Sequence, residues 1–301
     1  MHCERVIGVD LGGTTILAGV VARDGTVGRT VEIPTPRDTQ ESVLAAVDSA
    51  VDDLLDDGAG AIGYGVPLNI DRRTGVALNA TNLPLREVHF PARARARYGL
   101  PAGVENDGNA AALAEWRLGA GRGADDLVML TLGTGVGGGL VLDGHLYRGW
   151  AELGHTVVIA GGAGCQGDCH GRGHLEAVAS GLAADRAAVG LYGRGADAVM
   201  LVERAHGGDP RAVEALGEIG RLLGVAIGSL LNIFAPDVVI VGGGFGFAAG
   251  DLILEPARSA ARGEALVPAD ETLRLTRAEL GNEAGLIGAA LVGFEALDGV
   301  R

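Results

Sequence analysis

The stretch "RVIGVDLGGTTILAGVVARDGTVGRTVEI", residues 5–33, alternates three apolar segments with two glycine-containing turns, "DLGG" and "RDGT". Short apolar runs bounded by glycine turns predict three strands, so a sheet begins the chain. A helix with apolar residues at helical spacing is predicted over 39–57, and a strand over 61–67. The chain therefore opens in the order β-β-β-α-β.

A similar pattern returns at "DLVMLTLGTGVGGGLVLDGHLY", residues 126–147, which predicts strand, glycine-rich turn, strand and a further turn. This echo of the opening predicts two related halves. Between the two stretches, residues 85–98 are predicted to be helical. Further along, a long helix is predicted over 209–234, then a buried strand over 237–244 and a last helix. The whole pattern indicates an α/β fold.

Composition limits the possible partners. The 301 residues carry a net charge of −14, and "RARAR" at 93–97 is the longest cluster of basic residues. We therefore expect no nucleic-acid partner. The N-terminus has no long hydrophobic region, and two of three cysteines are crowded together. Both features favour a cytoplasmic protein with no membrane segment and no disulfide framework, in which Cys3 is a buried small residue.

All 24 basic residues are arginine, and none is lysine. A P-loop, a protein kinase and a pyridoxal enzyme each need a lysine, so these classes are excluded. Any phosphate chemistry must rely on backbone amides, arginine or a metal.

Three glycine turns each follow an apolar strand: "DLGGTT" (10–15), "LGTGVGGG" (132–139) and "VGGGFG" (241–246). Glycine allows backbone amides to approach an anion closely, and none of the three turns fits a dinucleotide-binding motif. Asp10, at a strand end beside the first turn, suits a Mg²⁺ ligand facing phosphates, or a turn-capping residue.

The motif "VENDGNAA", residues 104–111, places Asp107 where a strand passes into a helix. Asp107 is either the helix N-cap or a base that accepts the proton of a hydroxyl during phosphoryl transfer. A second motif, "GCQGDCHGRGHLE" at 164–176, holds two cysteines and two histidines within thirteen residues. It predicts a metal site, and the alternative is a metal-free loop with ordinary thiols.

In this order the motifs resemble the ROK family (repressor, open reading frame, kinase), whose enzymes are mostly ATP-dependent sugar kinases. The motifs that carry the resemblance are "DLGGTT" at 10, "GYGVP" at 63, "NATNLP" at 79, "VENDGNAAALAE" at 104, "TLGTGVGGGLVLDGHLYRG" at 131, "ELGHTVV" at 152, "CQGDCHGRGHLEAVASG" at 165 and "VIVGGG" at 239. Each motif alone is weak evidence for the family, but the ordered set covers nearly the whole chain.

The resemblance implies an α/β, two-lobed, actin-like (ribonuclease-H-like) ATPase fold. Its smaller lobe would be 1–107 plus 283–301, and its larger lobe, with a zinc site, 108–282. The implied reaction is the ATP-dependent phosphorylation of a hexose, foremost glucose, at its 6-hydroxyl, with Mg²⁺ as cofactor. The family also implies a homodimer.

The resemblance assigns roles to residues of this chain. Asp107 would be the general base, and Asp10 the carboxylate on the Mg²⁺ side. The sugar would be bound by Asn106, Glu152, His155 and Glu176. The nucleotide and its phosphates would lie along Gly12, Gly13, Thr14, Gly133, Thr134, Gly135, Gly242 and Gly243. Many family members have lysine where this chain has Thr15.

The family's zinc site is built from the histidine of the "GH" element and three cysteines. Here His155, Cys165 and Cys169 match, whereas His174 stands at the third cysteine position and His170 is an alternative ligand. Two cysteines and two histidines are an ordinary set for structural Zn²⁺. Such a closed site would do no chemistry, but would fix His155 and Glu176 against the sugar.

Other members of the family leave alternatives open. These are a fructokinase, an N-acetylmannosamine kinase, and a kinase that uses polyphosphate, against which the net charge of −14 argues. A sugar-responsive transcriptional repressor is disfavoured, because only nine residues precede Asp10 and no DNA-binding segment fits there.

Overall fold

A computed structural model describes residues 5–80, 83–167, 169–266 and 273–299, and the chain divides into two compact units. Unit 1 comprises Met1–Leu118, Arg148–Trp150 and Glu283–Arg301, and unit 2 comprises Gly119–Tyr147 and Ala151–Asn282. Cys3 and part of the "NATNLP" motif lie outside the described residues.

The elements of the described residues are numbered here in chain order. The strands are β1 (Arg5–Leu11), β2 (Thr15–Ala22), β3 (Val27–Pro34), β4 (Ile62–Val66), β5 (Leu68–Asp71), β6 (Val76–Ala80), β7 (Arg86–Val88), β8 (Ala102–Asn106), β9 (Leu127–Leu132), β10 (Val136–Leu142), β11 (His145–Leu146), β12 (Val238–Gly242) and β13 (Leu275–Arg277). The α-helices are α1 (Gln40–Asp52), α2 (Phe90–Tyr98), α3 (Asp107–Leu118), α4 (Leu175–Ala179), α5 (Gly181–Tyr192), α6 (Ala198–His206), α7 (Pro210–Phe234), α8 (Gly244–Ala249), α9 (Asp251–Glu264) and α10 (Ala284–Asp298).

The main sheet of unit 1 has the strand order β3-β2-β1-β4-β8. Strands β1, β2 and β3 are antiparallel neighbours, whereas β1, β4 and β8 run parallel. Because side chains alternate across a strand, Ile7 and Val9 pack in one core cluster with α1, while Val6 packs in another with α10. Because β1, β4 and β8 run in the same direction, they end at one edge of the sheet.

Helix α10 lies on a row of glycines that crosses the three parallel strands. Gly8, Gly63 and Gly103 are in register on β1, β4 and β8. A Cβ at Gly63 would lie 1.7 Å from the carbonyl oxygen of Ala289, and one at Gly103 would lie 2.5 Å from that of Val292. Glycine is required here because the helix backbone takes the space of the missing side chains.

Unit 2 repeats this arrangement, with the strand order β11-β10-β9-β12-β13. Strands β9, β10 and β11 are antiparallel neighbours, and β12 lies parallel between β9 and β13. The two orders match strand for strand, so the repeat predicted from the sequence echo is confirmed. Each unit buries a hydrophobic core of its own.

Helix α7 is the long helix predicted from the sequence, and Asp209 caps its first turn. Gly220, Gly224 and Gly228 bring it close to α9, because a Cβ at Gly224 would lie 2.3 Å from the carbonyl oxygen of Ala257. Among the described residues, α7 alone is long and apolar enough to cross a membrane, but 61% of its apolar window is buried in the protein. We therefore interpret α7 as a core helix of the protein.

The structure corrects the prediction of a helix over 85–98. Arg86–Val88 is strand β7, and the helix begins only at Phe90, where the His89 side chain accepts a hydrogen bond from the amide of Ala92. β7 pairs with β6, and β6 with β5, in a separate three-stranded sheet that the sequence did not predict. In addition, α3 packs against α10 and belongs to unit 1, whereas the smaller lobe implied by the resemblance ended at 107.

Candidate active site

Two carboxylates of unit 1 lie at the carboxyl ends of parallel strands. Asp10 is near the end of β1 and pairs with Gly65 on β4, which pairs with Glu105 on β8. Asp107 follows β8 as the first residue of α3. Because these strands end at one edge of the sheet, both carboxylates lie there, and they interact electrostatically.

The pKa values of these two carboxyls are shifted upward. Burial, and then the negative charge of Asp107, raise the pKa of Asp10 to about 7. Burial also raises the pKa of Asp107, against the opposing effect of hydrogen bonds from the backbone amides of Gly108 and Asp107 and from the Asn106 side chain. A carboxylate with a raised pKa is a better proton acceptor, as a general base requires.

The start of α3 tests the interpretation of Asp107 as the helix N-cap. Asn106 Oδ1 accepts a hydrogen bond of 3.2 Å from the amide of Asn109, which is the usual N-cap contact. Asp107 Oδ1 accepts a hydrogen bond of 2.8 Å from the amide of Gly108. The capping residue is therefore Asn106, and the interpretation of Asp107 as the N-cap is wrong.

The first glycine turn, which contains Gly12, Gly13 and Thr14, is held by the segment after β3. The Thr35 hydroxyl donates a hydrogen bond of 2.8 Å to the carbonyl oxygen of Gly12. Arg37 donates through Nε and Nη2 to the carbonyl oxygen of Gly13, at 3.1 and 2.8 Å. With its carbonyls held in this way, the turn has a defined backbone from which amides can bind an anion.

The other two glycine turns meet in unit 2. Gly133 donates from its amide to the carbonyl oxygen of Gly135 at 3.0 Å and accepts from the amide of Gly181, at the start of α5, at 2.7 Å. Gly243 has a φ of +81°, and a Cβ there would lie 2.5 Å from the carbonyl oxygen of Leu132. The turn after β12, with Gly242 and Gly243, therefore packs against the strand that leads into Gly133, Thr134 and Gly135.

Glu176, in the first turn of α4, reaches this glycine turn. Its Oε2 accepts a hydrogen bond of 2.9 Å from the amide of Val136. A Cβ at Gly135 would lie only 2.2 Å from the same oxygen, so glycine is needed there. The other carboxylate oxygen of Glu176, Oε1, lies 3.7 Å from Cys165 Sγ. Glu176 thus joins the glycine turn after β9 to the cysteine and histidine cluster, a link that motif spacing alone did not reveal.

The cluster consists of His155, Cys165, Cys169 and His174, whose ligand atoms all lie within 4.8 Å of one another. His155 Nδ1 is 3.2 Å from His174 Nδ1 and 3.7 Å from Cys165 Sγ, and Cys169 Sγ is 3.6 Å from His174 Nδ1. A tetrahedral zinc with bonds of 2.0–2.3 Å spaces its ligand atoms by ~3.3–3.8 Å. The residues therefore fit a zinc ion, and His170 is not one of the four.

Local backbone structure holds these ligands. The amide of Gly171 donates to Cys169 Sγ at 3.4 Å, and a Cβ on Gly171 would lie 2.1 Å from the imidazole of His174. Burial is the main cause that raises the pKa of the Cys165 thiol to about 11. Binding as a thiolate therefore requires a cation that replaces the proton.

Glu152 precedes a short 3₁₀ turn, Leu153–His155, and His155 is the last residue of that turn. A Cβ at Gly154 would lie 2.1 Å from the carbonyl oxygen of Val136, so this turn packs closely on β10. His155 turns Nδ1 toward the cluster, and its Nε2 lies on the other edge of the ring. One imidazole can thus serve a metal and a sugar hydroxyl at the same time.

Known proteins similar to this chain include sugar kinases. The ROK family profile matches residues 6–294. The chain belongs to the ROK family. The glucokinase of Streptomyces coelicolor is 36% identical over 315 residues, which cover 94% of this chain and 96% of that protein. The N-acetylmannosamine kinase of Shigella flexneri is 33% identical over 293 residues, which cover 95% and 97%.

Among solved structures, a ROK family glucokinase from Streptomyces griseus in complex with glucose and AMPPNP matches with a TM-score of 0.85 and 36% identity. The match covers 97% of this chain and 99% of that chain. The predicted ROK resemblance and its actin-like α/β fold are thereby confirmed. The candidate site residues of this ROK protein fall into two sets, one in each unit: Asp10 to Thr14 with Asn106 and Asp107, and Gly133 to Gly135 with Glu152 to Glu176, Gly242 and Gly243.

Proposed function

We propose that this ROK protein is an ATP-dependent hexose kinase that phosphorylates glucose at its 6-hydroxyl. The observation that carries the proposal is Asp107, a carboxylate of raised pKa at the junction of β8 and α3, beside the second carboxylate of Asp10. The similarity to two glucokinases at 36% identity over nearly the whole chain supports glucose as the sugar.

In the proposed reaction, Asp107 accepts the proton of the sugar's 6-hydroxyl. The oxygen then forms a bond to the γ-phosphorus of ATP while the bond to the β,γ-bridging oxygen breaks, which gives glucose 6-phosphate and ADP. Asn106, Glu152, His155 and Glu176 would bind the sugar hydroxyls. The three glycine turns would bind the phosphates and nucleotide through backbone amides, as a chain without lysine requires.

Asp10 is the residue suited to Mg²⁺, which would neutralise phosphate charge when bound with ATP. Its pKa of about 7 means that it is partly protonated at neutral pH and that a cation would favour its ionised form. His155, Cys165, Cys169 and His174 would hold a structural Zn²⁺ with four protein ligands and no open position. Zinc would support sugar binding through His155 and through Glu176, which follows His174 by two residues.

The test of the function is a coupled ADP-release assay with Mg-ATP on glucose, fructose, mannose, N-acetylglucosamine and N-acetylmannosamine. We expect glucose to be turned over fastest, and Asp107→Asn to lower kcat by about 10²–10⁴-fold, because the proton acceptor is lost at constant shape. Circular dichroism and glucose titration calorimetry would confirm that the variant folds and binds sugar. A variant that keeps its activity would contradict the role of Asp107, and preference for another sugar would replace glucose.

The zinc is tested by elemental analysis of protein purified without added metal. We expect close to one zinc per chain, and loss of the metal in the Cys165→Ser, Cys169→Ser double variant, because both thiolate ligands are removed. His170→Ala is the matched control and should retain zinc, since His170 is not among the four clustered ligands. Full zinc content in the double variant would refute this ligand set.

We further propose that the protein acts in the cytoplasm as a homodimer, which the family resemblance implies. Light scattering during size-exclusion chromatography gives the mass directly. A mass of about twice the 30.4 kDa of one chain is expected, and the mass of one chain would refute the dimer.

A further inference from the structure

Glu105, the residue two positions before Asp107, is a buried carboxylate surrounded by donors. Its side chain is 1% exposed. Arg72 donates to Glu105 through Nη1, at 2.9 Å to Oε2, and through Nη2 to Oε1. Glu105 Oε1 also accepts hydrogen bonds from the backbone amide of Asn106, at 2.9 Å, and from Asn109 Nδ2, at 3.1 Å. A buried charge of this kind is stable only with such partners.

The partners of Glu105 come from separate segments of unit 1. Arg72 lies just after β5, and Arg148 Nε is 3.6 Å from Glu105 Oε2. Arg72 Nε also donates to the carbonyl oxygen of Arg148 at 2.9 Å, and Arg148 forms an ion pair with Glu295 of α10. The Glu105 carboxylate therefore holds three segments of unit 1 in place: the turn after β5, the first turn of α3, and the segment Arg148–Trp150.

The contacts of Glu105 with the first turn of α3, and those with the segment Arg148–Trp150, both lead to residues of the proposed reaction. Asn106 and Asn109, which Glu105 holds, lie on either side of Asp107 in sequence, and they form the N-cap contact of α3 with each other. The segment Arg148–Trp150, held by Arg72 and Glu105, ends two residues before Glu152. A displacement of about 1 Å in a reacting group is enough to lower a rate by about 10²-fold.

We propose that Glu105 is a positioning residue, which acts through Arg72, Arg148 and the first turn of α3 to hold Asp107 where it accepts the sugar proton. The proposal rests on the proposed kinase function. Glu105 itself touches neither sugar nor nucleotide in this scheme. Its loss should therefore affect the chemical step and leave the binding of ATP nearly unchanged.

A second ion pair in unit 1 provides a matched structural control. Asp48 has a side chain 10% exposed and accepts from Arg93 through Nε, at 3.2 Å to Oδ1, and through Nη2 to Oδ2. The Nε of a second arginine, Arg97, lies 3.9 Å from Asp48 Oδ2, just as Arg148 Nε lies 3.6 Å from Glu105 Oε2. Asp48 lies on α1 and makes no contact with α3 among these hydrogen bonds. Glu105→Gln and Asp48→Asn thus remove the same kind of charge in different places.

The experiment compares kcat, KM and Tm of the two variants with those of the wild type. We expect both variants to lose similar thermal stability. Glu105→Gln should lower kcat by about 30–100-fold with the KM for ATP within twofold, whereas Asp48→Asn should keep kcat within twofold. Arg72→Met should repeat the loss of kcat, and Arg72→Lys should restore part of it, because lysine returns the charge without the two parallel hydrogen bonds.

Each other outcome has a distinct meaning. Equal kcat values for Glu105→Gln and Asp48→Asn, measured below both Tm values, would overturn the positioning role. If Glu105→Gln does not fold, Arg72→Met and Arg148→Met carry the same test from outside α3, and unchanged kcat in both would overturn it. A wild-type protein that turns over no hexose would instead refute the proposed function.

Discussion

At the residue scale, the proposed chemistry depends on two carboxylates that interact electrostatically. Asp10 and Asp107 both have raised pKa values, and the charge of Asp107 contributes to the shift of Asp10. When two such acids interact, their titration belongs to the pair. Binding of a cation beside Asp10 would therefore change the proton affinity of Asp107 as well, which would couple metal binding to the strength of the proposed base.

The raised pKa of Asp10 predicts a pH-dependent stability. An acid whose pKa rises on folding destabilises the folded state increasingly above its unfolded pKa of 3.8, and the effect levels off above the folded pKa of about 7. Asp10→Asn removes this destabilisation. We expect the variant's gain in the free energy of unfolding to be about 2 kcal/mol larger at pH 8 than at pH 5, measured by urea denaturation without added Mg²⁺.

The control for this prediction is Asp38, whose pKa is lowered, chiefly by a hydrogen bond from Ser42. Asp38 is ionised in both folded and unfolded states across pH 5–8, so the effect of Asp38→Asn should not change with pH in that range. A gain for Asp10→Asn that is equal at the two pH values would show that Asp10 titrates normally in the folded protein.

Residue types at strand ends made Asp10 and Asp107 candidates from sequence, and the close spacing of Cys165, Cys169 and His174 in one glycine-rich stretch made the cysteine and histidine cluster a candidate. Their chemistry is evident from the side chain itself, and glycine turns mark their positions. Glu105 was not predictable as a positioning residue, because its role depends on Arg72 and Arg148, which are 33 and 43 residues away in the chain. The choice of His174 over His170 likewise required the backbone at Gly171, which packs on the His174 ring.

At the element scale, the predictable elements are those with local signals. Asp209 and Pro210 define the start of α7, and its apolar spacing defines its face, so both were predicted correctly. The strands β5, β6 and β7 were missed because their stability comes from pairing with one another, which no local pattern records. The glycine row under α10 was missed for the same reason: its function depends on a helix almost two hundred residues further along the chain than Gly103.

The glycine row predicts a large effect from a very small substitution. Gly63→Ala places a Cβ 1.7 Å from the carbonyl oxygen of Ala289, so α10 must move away from the sheet. We expect a loss of about 2–4 kcal/mol in the free energy of unfolding, measured by urea denaturation. Gly263→Ala is the control: it meets no atom within 4 Å in the exposed last turn of α9 and should gain up to about 1 kcal/mol. Equal stability of the two variants would mean that α10 is not held against β4 as described.

At the scale of the whole molecule, one strand arrangement is used twice. Both units carry three antiparallel strands followed by two parallel ones, and each has its own core. The units differ in what they add: the sheet of β5, β6 and β7 belongs to unit 1, whereas the cysteine and histidine cluster belongs to unit 2. The sequence echo predicted the repeat, because glycine turns after apolar strands recur at matching places.

This division makes the two tryptophans of the chain a selective probe. Trp116 and Trp150 both belong to unit 1, whereas the proposed zinc ligands and the helices α4 to α9 belong to unit 2. Removal of zinc with a strong chelator should therefore lower the temperature at which the far-ultraviolet circular dichroism melts by about 10 °C, since a structural zinc contributes to folding directly. The tryptophan fluorescence transition should move much less.

Re-addition of zinc should restore the original melting curve, and the Cys165→Ser, Cys169→Ser double variant should resemble the chelated protein before any chelator is added. If circular dichroism and fluorescence instead shift together by the same amount, the two units unfold as one cooperative structure, and the metal stabilises unit 1 through unit 2. If neither transition moves although the zinc is gone, the four ligands contribute nothing to folding, and the metal's effect would have to be sought in glucose affinity alone.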